Sequence, residues 1–448
     1  MKDLLLHNKR QQQTEALIQK LIAAIDEMIS MQLSIIIQSP PYKRLESLWR
    51  GLFFMLGAVS SAQKTTAVRV RILDLSWSML AADLELNARS RPSLLYRLVC
   101  RQELNTLGGQ PFGLLLVDHA VSVLPDINKD CNDIEVLKYL ANFAKNALCP
   151  VILPVASDFL GTDDIDIWVD EARVKRILDS TDFFEWHKLR KQENSFFLGL
   201  TLPEILMRQP WENYCKDIYF NEVPTKGMGS DYLWGNSAFA FARNVISEFD
   251  RIRWFGFLRE PLGGAVVANN TNQPIAARLR ITESLEYFYN EQGFIPLTTC
   301  YLTHHIAFFS NQSIFKLPMK DADKDQWKLL TMLQTTLTGC RFGHYLKKLI
   351  RENIGSYRDA ESCELKLNEW LLGYVSNVGY AEESILAQYP LKSAKVRLTG
   401  DPNLGIYQCK IEIQPQYQFD MIKAHIVIKA NAGELKPLFL NTGRESDK

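Results

Sequence analysis

The chain carries no surplus of charge of either sign. Its 51 lysines and arginines balance 51 aspartates and glutamates, which excludes a whole-protein field suited to nucleic acid or an anionic membrane and leaves only local patches. Long apolar runs are missing too. The longest, such as Leu52 to Leu56, fall far short of the roughly 20 residues that span a bilayer. The opening MKDLLLHNKRQQQ has too short an apolar segment for a secretory leader and no small-residue cleavage site, so the expected compartment is the cytoplasm. Cysteines are few, at 100, 131, 149, 215, 300, 340, 363 and 409. They show no CxxC or other zinc spacing and read as reduced, mostly buried thiols.

Catalytic signatures are lacking as well. There is no GxGxxG, GxxxxGK(S/T), HExxH or calcium loop. GGQPFG (108–113) and PLGGA (261–265) are glycine-rich, but the first leads into an apolar strand pattern, and both read as turns rather than phosphate cradles. GNSAF (235–239) approaches a nucleophile elbow but has Phe239 where the last glycine is required. His304 and His305 are adjacent and would project apart on a strand, and Asp163, Asp164 and Asp166 lack the glycine and distal glutamate of a calcium site. No catalytic, cofactor-binding or metal-ligating residue is assigned, and no cofactor is expected.

What is present is a folded chain: 448 residues, 47% of them hydrophobic, are enough to fill two or three cores. Residues 14–37 place Leu17, Leu21, Ile25, Met28 and Ile29 near one helical face. PPYKRLESLWRGLFFMLG (40–57) then sets Leu45, Leu48, Trp49, Leu52, Phe53 and Leu56 on one stripe behind Pro40-Pro41, which mark a helix start. That stripe needs a cover, whether this chain's core, a membrane or another protein. AVRVRILDLS (67–76) alternates like a half-buried strand. QPFGLLLVDHAV and CPVILPVAS flank the helical 133–148, which predicts a βαβ unit.

From Lys324 to Leu372 the pattern is mostly helical, and after Pro390 it turns to strand. Tyr407, Cys409, Ile411 and Ile413 oppose Gln408, Lys410, Glu412 and Gln414, while Ile422, Ala424, Ile426 and Ile428 form the apolar side of 419–430. With 394–398 these make a narrow sheet whose edges are exposed unless something covers them. RFGHYLKKLIREN (341–353) places Arg341, His344, Lys348 and Arg351 on one helical face, with Phe342, Leu346 and Leu349 behind. Such a face is usually solvated, though it also suits docking to an acidic protein surface. The predicted architecture is mixed α/β (α+β) and multi-domain: N-terminal helices (1–60), a central α/β domain (61–323), a C-terminal helix-plus-strand domain (324–436) and a polar tail (437–448).

Several stretches together resemble one family, the large subunit (TssC/VipB) of the type VI secretion contractile sheath. LESLWRGL (45–52) resembles its LExxWRGL signature; LGGQPFGLLL, FLGLTLPEILMRQPW, YLWGNSAFAFA, GFIPLT, AFFSNQS, RFGHYLKKLIRENIGS and YPLKSAKVRL follow in the family's order, across roughly residues 20 to 430. The resemblance implies a structural protein, not an enzyme, that joins a small sheath subunit (TssB/VipA-like) and further copies of that heterodimer. Together they wrap an inner tube on a baseplate, contract to propel it, and are recycled by an AAA+ unfoldase. It implies inter-subunit strands carrying Val396, Tyr407, Ile411, Ile413, Ile422, Ile426 and Ile428, and an inner-tube-facing helix carrying Arg341, His344, Lys348 and Arg351. Leu45, Leu48, Trp49, Leu52 and Phe53 would then pack on the small subunit.

Each side chain so withdrawn contributes about 1.5 to 3 kcal/mol, so the chain alone is expected to aggregate. No nucleic acid and no direct membrane insertion are implied. The sequence departs from the family in a shortened start, in Phe196 and Phe197 before GLTLP, and in Glu204 after it. An ion pair of the usual assembly is therefore expected to be absent or reversed. A single-component phage-like tail sheath and, less favoured, an uncharacterised α/β enzyme are the alternative readings.

Overall fold

The computed structural model describes residues 2–61, 68–89, 91, 93–123, 131–212, 219–223, 232–259, 266–267, 275–300, 305–316, 328, 330–352, 360–376, 389–401, 406–415, 426–431 and 435–437. Helix α1 spans Lys2–Ile37 and α2 spans Pro40–Ser61. The two prolines occupy the first turn of α2, where a missing N–H costs nothing, and the Lys43 N–H donates to the Ser39 carbonyl at 3.0 Å. The chain bends by 74° at this break. No single helix among the described residues is long and apolar enough to cross a membrane, although the bent pair together meets that length and composition.

Residues 68–76, predicted as a strand, form no strand. Side chains rather than a backbone ladder hold the segment. Arg69 donates to Gln110 at 2.8 Å, while Arg71 pairs with Glu103 and lies over the Phe112 ring at 5.4 Å. Alternation alone does not make a strand when no neighbouring strand offers its backbone, and Ile72 is left 68% exposed.

Helix α3 (Trp77–Ala88) precedes the predicted βαβ unit, formed by β1 (Leu115–Leu116), α4 (Asp133–Ala147) and β2 (Val151–Pro154). Asn132 caps α4 by accepting from the Ile134 N–H at 2.9 Å. Next come α5 (Glu171–Leu178), α6 (Phe184–Arg190), β3 (Leu198–Leu202), β4 (Ile205–Arg208), β5 (Leu233–Gly235) and α7 (Ala238–Ile252). Then follow β6 (Val266–Val267), α8 (Glu283–Glu291), β7 (Ile295–Pro296), β8 (Thr298–Thr299) and β9 (Ile306–Ala307). The last elements are α9 (Leu333–Glu352), α10 (Ala360–Leu372), β10 (Leu391–Asp401), β11 (Ile406–Pro415), β12 (Ile426–Asn431) and β13 (Leu435–Pro437).

Two compact units result. The first comprises residues 1–53 and 204–236, and contains α1, the first part of α2 and the antiparallel β4–β5 pair. Its helix–sheet contact is close: a side chain at Gly235 would place Cβ 2.5 Å from Met207 Cγ and 2.6 Å from Ser47 Oγ.

The second unit holds the rest of the chain. Its main sheet, in the order β1-β2-β3-β7, is parallel throughout, and its strands are therefore apolar on both faces. At Gly199 in β3, an added Cβ would run into Leu333 of α9 and come within 2.9 Å of Ile295 Cδ1. Beside this sheet, Trp186 stacks on Phe294 with centroids 6.0 Å apart, and Phe159 meets both edge-on. Arg190 is buried beside them. It donates to the Ile314 and Glu291 carbonyls, both at 2.9 Å, the latter at the C-terminal end of α8 where the helix dipole is negative. Burial pushes its pKa down to about 10.

The C-terminal strands form an antiparallel meander, β10-β11-β12-β13. Val396 opposes Ile411, which opposes Ile428; Ala394 opposes Ile413, which opposes Ile426. Val396, Ile411 and Ile413 share one buried cluster with Leu367 and Leu371 of α10. Their side chains thus complete this chain's own core. Period-2 alternation identifies the buried face of a strand but not whose core buries it. Tyr407 lies opposite Gly400 in the β10–β11 ladder, and Ile422 lies outside the described residues.

Candidate functional site

The first unit is turned inside out. Along α1 the buried stripe is polar: Ser30, Ser34 and Gln38, one turn apart, are buried, while Leu17, Leu21, Ile25 and Met28 face outward. An extended segment, residues 219–223, lies along that stripe. The Ser30 hydroxyl donates to the Tyr219 carbonyl at 3.4 Å; Ser34 accepts from the Val223 N–H at 2.8 Å; and Gln38 Nε2 donates to the Val223 carbonyl at 3.0 Å. Small polar side chains let this backbone approach the helix and satisfy groups that would otherwise be buried unpaired. Among the described residues the apolar side of α1 has no cover.

Helix α2 shows the same division within its LESLWRGL motif. Leu45, Trp49 and Phe53 are 54%, 59% and 75% exposed, whereas Leu48 and Leu52 are half-buried. The charged pair of the motif points inward. Arg208 of β4 lies between two carboxylates, bonding Glu46 Oε1 at 2.7 Å and Glu222 Oε2 at 2.6 Å. Arg50 takes Glu46 Oε1 from the other side at 2.8 Å. The Trp211 N–H and Gln38 Nε2 complete Glu222, and both guanidiniums lie over the Trp211 ring, Arg208 at 5.1 Å and Arg50 at 5.5 Å. Burial works against the Glu46 carboxylate, but its bonds to Arg208 and Arg50 outweigh that and hold its pKa below the usual range. This network joins α1, α2, β4 and the 219–223 segment, so the geometry that presents Leu45, Trp49 and Phe53 depends on it.

The expected basic face of α9 is divided. Arg341 is partly buried: its guanidinium lies 4.4 Å from the Phe249 centroid, 5.2 Å from Trp254 and 5.0 Å from Tyr345. His344 turns in toward the Ala147 carbonyl, 3.3 Å from Nε2. Burial pushes its pKa down to about 4, so the ring is neutral at pH 7. Both residues are only partly exposed, because packing sets Arg341 against an aromatic wall and turns His344 toward the Ala147 carbonyl, which a period of 3.6 residues does not reveal. Lys348 is exposed, and the Arg351 side chain lies outside what the structure describes.

The arrangement nearest to a catalytic pair is Asp133 with His119, 3.1 Å apart, but Asp133 also accepts from Trp77 Nε1 at 2.8 Å and the Ser122 N–H at 3.0 Å. Burial raises the Asp133 pKa, and the His119 bond with the others overcomes this to lower it. The His119 ring is stacked on Trp77 at 4.0 Å, a structural rather than a reactive setting. Ser237, in GNSAF, is buried and donates to Thr201 Oγ1 at 3.0 Å. An open cleft of about 590 Å³ is lined by Arg173, Arg176, Ser180 and Asp182 with apolar neighbours. Among the described residues no group of three His, Cys, Asp or Glu is placed to hold a metal. Phe196 and Phe197, which depart from the family pattern, are core residues, with Phe196 stacked on Phe315 at 4.2 Å.

Comparison with known proteins matches residues 19–315 to the EvpB/VC_A0108 tail sheath N-terminal domain and residues 322–432 to the EvpB/VC_A0108 tail sheath gpW/gp25-like domain. Over 426 residues, 90% of this chain and 83% of the relative, it is 26% identical to the type VI secretion system sheath protein TssC1 of Pseudomonas aeruginosa. The chain belongs to the EvpB/VC_A0108 (VipB) tail sheath family.

Proposed function

We propose that this chain is the large subunit of a two-component contractile sheath. It assembles in the cytoplasm with a small subunit around an inner tube, contracts to propel that tube, and performs mechanical rather than catalytic work. The carrying observation is the inverted first unit, in which α1 buries serines and exposes leucines. Exposed apolar stripes of this extent mark an interaction surface, and Leu45, Leu48, Trp49, Leu52 and Phe53 are the residues proposed to meet the small subunit. The C-terminal sheet is proposed to gain strands from neighbouring heterodimers through backbone pairing, and Lys348 and Arg351 are proposed to face the inner tube. Baseplate contact and recycling by an AAA+ unfoldase complete the proposed cycle.

Co-expression with the small subunit tests the reading. A stable soluble complex is expected from the native pair, and the chain alone should aggregate; a well-behaved soluble monomer would contradict it. One observation favours the single-component alternative, because β10 to β13 make a four-stranded sheet from one chain. That alternative requires tubes to form without any second subunit.

A further inference from the structure

The outer edge of β10 is occupied by its own chain. In an antiparallel ladder a residue directs its N–H and C=O to the same side, and Val396 directs both away from β11. The Val396 N–H donates to Asn368 Oδ1 at 2.8 Å, and Asn368 Nδ2 donates to the Val396 carbonyl at 3.0 Å. A primary amide offers a donor and an acceptor side by side, so Asn368 reproduces the two contacts a neighbouring strand would make. Its position is fixed from within α10: Nδ2 also reaches the Glu364 carbonyl one turn earlier at 3.0 Å, and the flanking Leu367 and Leu371 are buried in the cluster that includes Val396.

At the start of the strand a second closure operates. The Leu391 N–H donates to the Tyr374 carbonyl at 3.2 Å and the Ser376 N–H to the Leu391 carbonyl at 3.1 Å, opposite Pro415, which has no N–H to offer.

We infer that Asn368 is a strand-edge closure that decides which side of the C-terminal sheet can accept another strand. While its amide is seated on Val396, an incoming strand has no room along the middle of β10. Addition is directed to the far side of the sheet, and β10 of one copy is kept from pairing with β10 of another. Covering an edge with a helix side chain is a known way to suppress edge-to-edge aggregation, and here one residue supplies it. The inference refines the strand-pairing part of the proposed function. Its test reads exchange and self-association of this chain and not tubule formation, so a chain that never forms tubules would defeat that function and leave the closure standing.

The experiment is amide hydrogen exchange by mass spectrometry, with light scattering, on the full-length chain in whichever soluble assembly it is purified. Native protein is compared with N368A and N368D. In N368A, exchange in peptides covering 391–401 should accelerate about tenfold or more, with a new species that grows with protein concentration. N368D keeps an acceptor for the Val396 N–H but turns a second oxygen toward the carbonyl, so it should fall between the two. Should N368A also loosen β2 and β3, N368D decides the matter, because it preserves the length and packing of Asn368. Unchanged protection in both variants, or faster exchange without new self-association, would overturn the inference.

Discussion

At Arg208 a single guanidinium serves two carboxylates that the fold has withdrawn from water: the Glu222 side chain is wholly buried and Glu46 nearly so. Removing one partner of such a network leaves the others charged and unpaired, which costs about 3 to 5 kcal/mol. R208M is therefore expected to lower the denaturant midpoint of the first unit strongly, measured by urea unfolding. Replacing Glu46, Arg208 and Glu222 together by apolar residues should cost much less. The pH dependence of stability separates two groups. Glu46 has a folded pKa below its ordinary 4.5, so its contribution is complete above that value and is lost as pH falls beneath it. His344 is a base whose pKa falls from 6.5 to about 4. Its neutral form is accommodated, so stability is intact above pH 6.5 and declines as pH drops from there to about 4. Urea midpoints between pH 7 and 4 should fall in native protein, and H344Q should remove the part of that decline that begins near 6.5. An unchanged profile in H344Q would contradict the interior placement of the ring.

Among the elements, the helices and the parallel sheet were legible because each carries its own period or breaker: Pro40-Pro41 open α2, Pro390 precedes β10, and the apolar runs around α4 are β1 and β2. The 68–76 segment was misread because a strand is a property of a pair, and its arginines found side-chain partners instead. The apolar stripe of α2 was visible in sequence, and so was the need for a cover. What was not recognised is the Ser30, Ser34, Gln38 stripe on α1, although small polar residues at intervals of four in an apolar helix were its signal. Arg208 and Glu222 carry no local pattern, since their partners lie more than a hundred residues away or within an irregular loop. On α9, periodicity grouped Arg341 and His344 with Lys348, although tertiary packing gives the first two partly buried surroundings and leaves Lys348 exposed. Two tests belong to this scale. The triple variant L45S/W49S/F53S should make the isolated chain more soluble while abolishing co-purification with the small subunit. G199A should destabilise the second unit by about 1 to 3 kcal/mol through overpacking against Leu333, measured as a fall in thermal midpoint.

For the whole molecule, the balanced charge and the family fit a part whose work is done at its surfaces. The inverted first unit supplies one such surface, and the C-terminal sheet, with β10 closed by Asn368, supplies another that is directional. Directional contacts between identical copies build open helical assemblies rather than closed pairs. If Lys348 and Arg351 face the inner tube, K348E/R351E should weaken extended sheath around the tube and leave heterodimers intact; unchanged assembly would count against that assignment. The most direct measurement is negative-stain electron microscopy of lysate from cells co-expressing this chain with the small sheath subunit, and from cells lacking either one. Hollow tubules present only when both are made are the expected result. Tubules from this chain alone, or a soluble pair that never polymerises, would contradict the two-component sheath.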